Sequence, residues 1–529
     1  MTGILLDRRA VLAGAAALAA LAPGHALAAT LAKGGTILDV RAFGAKADGR
    51  QLDSPAINAA IAHAAARGGG TVWLPAGTYL SYSLRLKSHI TLHLDAGAVL
   101  LAAPSPIDGS VAGGYDAAPD LPPGYRAYQD HGHSHWRNAL IWGEGLEDVT
   151  IEGPGLIWGK GLGRGHDYDV GMPISGRPGV GDKTIALKLC RNVTLRDFRV
   201  LQGGWFALLA TGCDNMTIDN LLIDTNRDGL DIDCCRNVHV RNCTINSPWD
   251  DAICPKSSFA LGYPRATENV TITGCTVSGS YAIGSVLDAS FRPFPPAPKS
   301  THGRIKLGTE SNGGFRNIAI SNCVFDTCRG LALETVDGAR LEDVTISNIT
   351  MRNVTTAPIF LRLGRRMRGP ADAVPGTLKR ILIDGITSSG AAPMPSIIAG
   401  VADHPVEDVK IANLFLEQVG GGTSDTAGLS PPANEAGYPE PDMFGPLPAT
   451  GFFVRHARNI DFSHVEVVVR TPDARPAFWL QDVDGFDATA LRIPRGPAFR
   501  LDRVTAFRQA GSRDLPDARL DAPTPRTLG

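Results

Sequence analysis

Beyond Leu140 the chain repeats one phrase, an Asn or Asp followed by three residues that alternate apolar, polar, apolar. It begins at Asp148, Asn192, Asn215, Asn237, Asn269, Asn317, Asp343, Asp408 and Asn459. Asn192 to Asn215 is 23 residues, Asn215 to Asn237 is 22, and Asp148 to Asn192 is 44, or two units. Alternation with period two predicts strands, and a recurring unit this short predicts a solenoid. Such a unit cannot bury its apolar face alone and must stack on its neighbours. Successive strands then pair in parallel at ~4.8 Å, and the repeated Asn can form a hydrogen-bonded ladder at a turn. The expected fold is all-β, a right-handed parallel β-helix. Cysteines keep the same register: Cys190, Cys213 and Cys235 stand two before a ladder Asn, and Cys243, Cys275 and Cys323 stand six after one. These are expected as two stacks of buried thiols packing as small hydrophobes. Nine cysteines do not make an even disulfide framework, and thiols in a line do not make a metal tetrahedron.

Residues 36–103 depart from the repeat and predict a small α/β cap. Ser54 suits a helix N-cap, Pro55 the first helical position, Ile57 and Ile61 one apolar face, and Gly68 the stop. TVWLP and HITLHL then alternate as strands. The β-helix is expected over 104–510, with a C-terminal tail at 511–529. Where the spacing exceeds one unit a loop must leave the coil, and the largest lie near Pro104–Arg137, Gly159–Lys183, Asp288–Gly303 and Gly420–Thr450. Loops of this length are expected to wall a cleft. At the other end, paired Arg8 and Arg9, an Ala/Leu run and small residues at 26–28 predict a twin-arginine export signal over 1–28, hence a periplasmic or extracellular location.

Formal net charge is −2 with 20% charged residues, which excludes the broad basic field that nucleic-acid binding needs. After the signal no stretch reaches 18 consecutive apolar residues, so no membrane partner is expected once the signal is removed. Attraction to an anionic ligand must therefore be local.

Candidate chemistry lies in NRDGLDIDCC and SPWDDAICPKSS. Asp228 is 13 residues after Asn215 and Asp250 is 13 after Asn237, which predicts one register in adjacent coils, shared by Trp205 after Asn192. With Asp251 alongside, three carboxylates repel when ionised, and at least one is expected to hold its proton. Glycoside hydrolysis needs one protonated acid for the leaving oxygen and one carboxylate to activate water or attack the sugar. Asp231 and Asp233 are expected to be outward and solvated, alternating with inward Leu230 and Ile232. Arg304 and Lys306, two apart on a strand, share a face and could hold a sugar carboxylate. Trp205, Trp249 and Tyr281 could offer aromatic faces to a sugar. Among Arg362, Arg365, Arg366 and Arg368, a basic loop, Arg362 is the most credible ligand contact. The run His131–His135 is expected to be a polar loop. No metal site and no cofactor are expected.

These motifs resemble glycoside hydrolase family 28, the polygalacturonase-like pectin hydrolases, from about Asp39 to beyond Arg368. Asn226-Arg227-Asp228-Gly229 matches the family's first motif, Trp249-Asp250-Asp251 the second and Arg304-Ile305-Lys306 the fourth. The resemblance implies Asp250 as general acid, Asp228 and Asp251 as activators of water, inversion at the anomeric carbon, and Arg304 with Lys306 on the substrate's carboxylate. It implies an acidic plant-type polysaccharide or oligosaccharide as partner. The third motif differs, because Gly279 stands where the family has histidine, and Trp249 replaces a small residue. These departures point away from plain polygalacturonan, toward another uronide or a rhamnogalacturonan linkage, and the long loops suggest exo action. Two other readings are a lyase or epimerase on the same scaffold and a non-catalytic carbohydrate-binding β-helix.

Overall fold

A computed structural model describes residues 36–106, 114–119, 124–130, 132–133, 136–163, 177–293, 301–523 and 525–529. The export signal expected over 1–28 lies outside the described residues, as do His131 and His135.

The repeat folds as its period requires. Strand follows strand in parallel register, for example Val149 on Val193, Met216, Val238, Val270, Ile318, Val344 and Ile381. The inward members form one continuous apolar core that runs the length of the coil. Ladder residues Asp148, Asn192, Asn215, Asn237, Asn269, Asn317, Asp343, Asp408 and Asn459 all sit at φ between 53° and 60°. Asn and Asp tolerate this left-handed corner better than other side chains that carry a Cβ. Their amides also bond from coil to coil, Asn192 to Asp148 at 2.9 Å, Asn215 to Asn192 at 3.1 Å, Asn237 to Asn215 at 3.0 Å and Asn269 to Asn237 at 2.9 Å. The right-handed parallel β-helix read from the sequence is the fold observed. All nine cysteines are free and buried.

The first strands belong to the same stack. Ile37–Asp39 pairs with Gly70–Leu74, which pairs with Ile90–Leu94, which meets the coil at Glu147–Glu152. Helix α1 (Ser54–Ala65) packs Ile57, Ala60, Ile61 and Ala64 into the main core. Asp53, rather than Ser54, precedes its first turn, and its carboxylate is taken by the Lys46 and Ala47 N–H groups, so the helix has no side-chain cap. At the far end Ala518–Leu520 and Arg526–Leu528 add antiparallel to the last long strand, Phe499–Ala510.

One face of the coil carries the chemistry. It is built from β1 (Leu84–Arg85), β2 (Ala139–Glu144), β3 (Lys183–Lys188), β4 (Phe206–Thr211), β5 (Asp228–Asp233) and β6 (Ile253–Lys256), in that order. A parallel bridge from Ile253 to Ile305 carries the face on to β7 (Lys306–Leu307), β8 (Leu331–Thr335) and β9 (Ile359–Leu363).

Candidate active site

On β5, Leu230 and Ile232 enter the core, so Asp231 and Asp233 point outward as the alternation requires. They are not solvated. Both are fully buried, with His133 beside them, 3.9 Å from each. Asp231 also faces Lys256 at 3.6 Å, Lys256 faces Glu310 at 3.5 Å, and Arg368 ties Glu310 (2.9 Å) to Asp130 (2.6 Å). His133, expected in a polar loop, is held neutral by burial and the nearby Lys256, which push it down to about 3. This cluster fastens one wall of the cleft to its floor.

At the start of β5 and before β6 lie the three aspartates. The register differs from equal counting. Leu230 pairs with Ile253, which sets Asp228 level with Asp251 and leaves Asp250 one position ahead, over Arg227. The cause is one extra residue, since Met216 to Leu230 is 14 positions and Val238 to Ile253 is 15. Likewise Phe206, not Trp205, is level with Asp228. The side chains converge instead of diverging. The Asp251 N–H lies 3.1 Å from Asp250 Oδ1 and 3.3 Å from Asp228 Oδ1, so these two oxygens lie closer than the ~6.5–9.5 Å carboxyl spacing usual for an inverting pair. Asp228 and Asp251 are buried, while Asp250 keeps a fifth of its side chain exposed.

Their surroundings separate their protonation. Burial and then the Asp250 charge push Asp228 well above the ordinary carboxylate range. For Asp250, burial and Asp251 push up, but Arg227 (2.9 Å), His302 and Lys306 outweigh them and hold it below its ordinary value. Asp251 is driven far down against its own burial by Lys306, in direct contact, and Arg304, whose Nε donates at 2.9 Å. The expected proton-holder among the three is therefore Asp228.

Arg304 and Lys306 project together from the floor, as their spacing predicts, but both are buried and engaged. Besides Asp251, the Arg304 guanidinium meets Glu440 Oε1 at 2.5 Å and lies 3.8 Å from Glu334. Arg329 meets the other Glu440 oxygen at 2.8 Å. Glu334 is pushed up to about 8 by burial, against the pull of Lys306 and Arg304.

Two expected sugar contacts change, Arg362 and Trp205. Arg362 is buried and donates to the carbonyls of Gly400, Ala433 and Asn434, so it clamps a wall to β9 and does not face a ligand. Trp205 is buried with the Arg227 guanidinium 4.0 Å over its ring, which takes the face a sugar would use. Trp249 is half exposed, the aromatic left open beside Asp250. Tyr281 begins the short strand Tyr281–Ile283.

Sequence reasoning missed His302, Arg329 and Glu440. A Cβ on Gly279 would come within 2.8 Å of the His302 carbonyl group, so the glycine makes room for the His302 backbone. His302 offers a ring nitrogen within 4.8 Å of ligand atoms of both Asp250 and Asp251. A histidine thus reaches the carboxylates from the following coil, where no motif spacing marks it. Burial and Arg329 lower it to about 4, against the pull of Asp250 and Asp251, so it is neutral at pH 7. The same trio has the composition of a metal site, but its carboxylates already carry Arg227, Arg304 and Lys306, which an ion would have to displace.

Known proteins share this architecture. Residues 37–106 match the family described as rhamnogalacturonase A/epimerase, pectate lyase-like, and residues 183–366 match the family described as right-handed β-helix region. A probable polygalacturonase of Vitis vinifera is 25% identical over 330 residues, 60% of each chain. That match therefore spans less than two thirds of the relative's length. A family 28 exopolygalacturonase of Yersinia enterocolitica superposes with TM-score 0.61 at 20% identity, covering 85% of this chain and 78% of that one. The hyperthermoactive exopolygalacturonase of Thermotoga maritima gives 0.55 at 20% identity, over 72% and 87%. These likenesses show the fold, so the chain is a right-handed parallel β-helix protein, and on one face of its coil it carries aspartate and Arg-Ile-Lys motifs similar to those of glycoside hydrolase family 28.

Proposed function

We propose that this chain is an exported glycoside hydrolase that cleaves α-glycosidic bonds of a pectic polysaccharide or oligosaccharide, of galacturonan or rhamnogalacturonan type, by acid/base catalysis with inversion, for which substrate binding must part Asp250 from Asp228 far enough to admit the attacking water. The observation that carries the reading is the single N–H of Asp251 shared by Asp228 and Asp250 in a cleft that protonates one and ionises the other. That pair stores the proton that the departing sugar oxygen takes. Asp250 is the most exposed of the three and so the one that can touch substrate. An incoming sugar that displaces Arg227 from Asp250 removes the charge that keeps it ionised, and the proton passes from Asp228 to Asp250, which delivers it. Asp228, then ionised, activates water together with Asp251. His302 orients Asp250 in place of the histidine that the third motif lacks. Trp249 supplies a platform for the sugar. Walls at 124–130 and 420–450 flank the floor, which supports attack at a chain end.

A lyase or epimerase on this scaffold would need a basic lysine or arginine. Lys306 is poorly suited, because Asp251 keeps it protonated. The test is incubation of the purified protein with pectic oligosaccharides of defined length, with products sized over time and the first anomer read by NMR. Single-unit or short uniform products of inverted configuration are expected. Early mixed oligomers would remove exo action, a retained anomer would remove inversion, and an unsaturated product absorbing in the ultraviolet would favour elimination. Cell fractionation of the producing organism tests export.

A further inference from the structure

Resting on the hydrolase reading, a narrower statement about substrate follows from Glu440. Four cations around the aspartates each already face a carboxylate of this chain: Arg227 faces Asp250, Lys306 faces Asp251, Arg304 faces Asp251 and Glu440, and Arg329 faces Glu440; a fifth, Lys256, faces Asp231 and Glu310. Glu440 closes this set from outside the coil. Its two oxygens bridge two guanidiniums, Arg304 at 2.5 Å and Arg329 at 2.8 Å, the arrangement in which arginines receive a free carboxylate.

The segment that carries Glu440 is built in. Glu440 precedes the short turn Pro441–Phe444, and Phe444, Leu447 and Ala449 pack with Phe360, Phe453 and Trp479 in a separate apolar cluster. On the other side of Glu440, Arg362 holds the carbonyls of Ala433 and Asn434, and Arg455 holds those of Pro431 and Pro432. Lifting Glu440 away would expose that cluster and take from Arg362 and Arg455 the four wall carbonyls they hold. A second carboxylate brought to Arg304 while Glu440 stays would meet like charge in a place poor in water.

We infer that Glu440 occupies the guanidinium site that a uronate would otherwise use, and that the sugar unit lying against Arg304 and Arg329 carries no carboxylate. The substrate is then a glycoside with a neutral hexose or deoxyhexose at this position, and any uronate it contains lies elsewhere along the cleft. Arg304, expected from the sequence to bind substrate carboxylate, instead fixes Asp251 and Glu440. Glu440 is a specificity-determining residue.

The test uses the full chain with Asp228→Asn to suppress turnover, a change that leaves all four cation pairings intact. Titration calorimetry compares a trigalacturonide with its carboxyl-reduced, wholly neutral counterpart. The neutral sugar should bind at least ~10-fold more tightly, about 1.4 kcal/mol. Adding Glu440→Gln, which keeps the shape but removes the charge, should move the ratio at least ~10-fold toward the uronide, with Glu440→Ala as a second variant and thermal melts confirming that both fold. Tighter binding of the uronide with Glu440 intact overturns the inference, and so does a ratio unmoved in both variants. Turnover of the same two sugars by the wild type is scored separately. If neither they nor any pectic glycoside is cleaved while the binding pattern holds, the hydrolase reading fails and the specificity of the site stands.

Discussion

At the scale of single residues, Asp250 and Asp251 are neighbours in sequence with different work. Asp250 has one guanidinium partner and some exposure, so Asp250→Asn should lower kcat by ~10²–10⁴-fold and leave the thermal midpoint nearly unchanged. Asp251 is buried and neutralises Arg304 and Lys306 together, so Asp251→Asn should lose activity and also ~3–5 kcal/mol of stability, measured by chemical denaturation. Equal stabilities for the two variants would contradict this division. Glu334 gives a pH signature of its own. Its ordinary value is 4.5 and the folded protein raises it to about 8, so above 4.5 the unfolded chain ionises while the folded one keeps the proton. Its contribution to stability is complete below 4.5 and is lost as pH rises toward about 8. Thermal melts at pH 5 and pH 8 should therefore show a loss at the higher pH that shrinks in Glu334→Gln.

At the scale of elements, ladder corners and walls obey different rules. The corners were legible because an Asn at φ near 55°, bonded to the Asn one coil away, is a local requirement repeated at a fixed interval. The walls were legible only as excess length. Which floor residue each wall would reach depends on side chains far apart in sequence, Glu440 with Arg304 and Asp130 with Arg368. Arg362 shows the consequence: from sequence it is a free cation on a basic loop, and in the fold its donors are spent on wall carbonyls. Arg362→Ala should leave those buried carbonyls unpaired, at ~1–3 kcal/mol each, and loosen the wall before the coil. Hydrogen exchange should then rise across 431–447 while β5 and β6 stay protected. Unchanged exchange in that segment would mean that the Phe444 cluster holds the wall alone.

At the scale of the whole molecule, a stack of parallel strands must end, and each end presents unpaired backbone groups that can recruit another chain. At the front α1 packs against the first coils, and at the back the segments Ala518–Leu520 and Arg526–Leu528 cover the last long strand. Removing residues 512–529 should expose that edge and produce concentration-dependent association by light scattering, with the active face unaffected. The sequence by itself determined the fold, because a period of 22 to 23 residues, alternating strands and left-handed Asn corners are local demands that only stacking in parallel satisfies. It also placed Asp228, Asp250 and Asp251 in adjacent coils on one face, since position within a coil fixes position on the stack, whereas Arg304 and Lys306 joined them only through the family resemblance. Only the tertiary structure decided how those groups are charged and what they can bind. One extra residue before β6 set Asp250 over Arg227, His302 came in from the next coil above Gly279, and Glu440 reached Arg304 from a wall more than a hundred residues away. Protonation and specificity depend on through-space distance and burial, which a strand period does not encode.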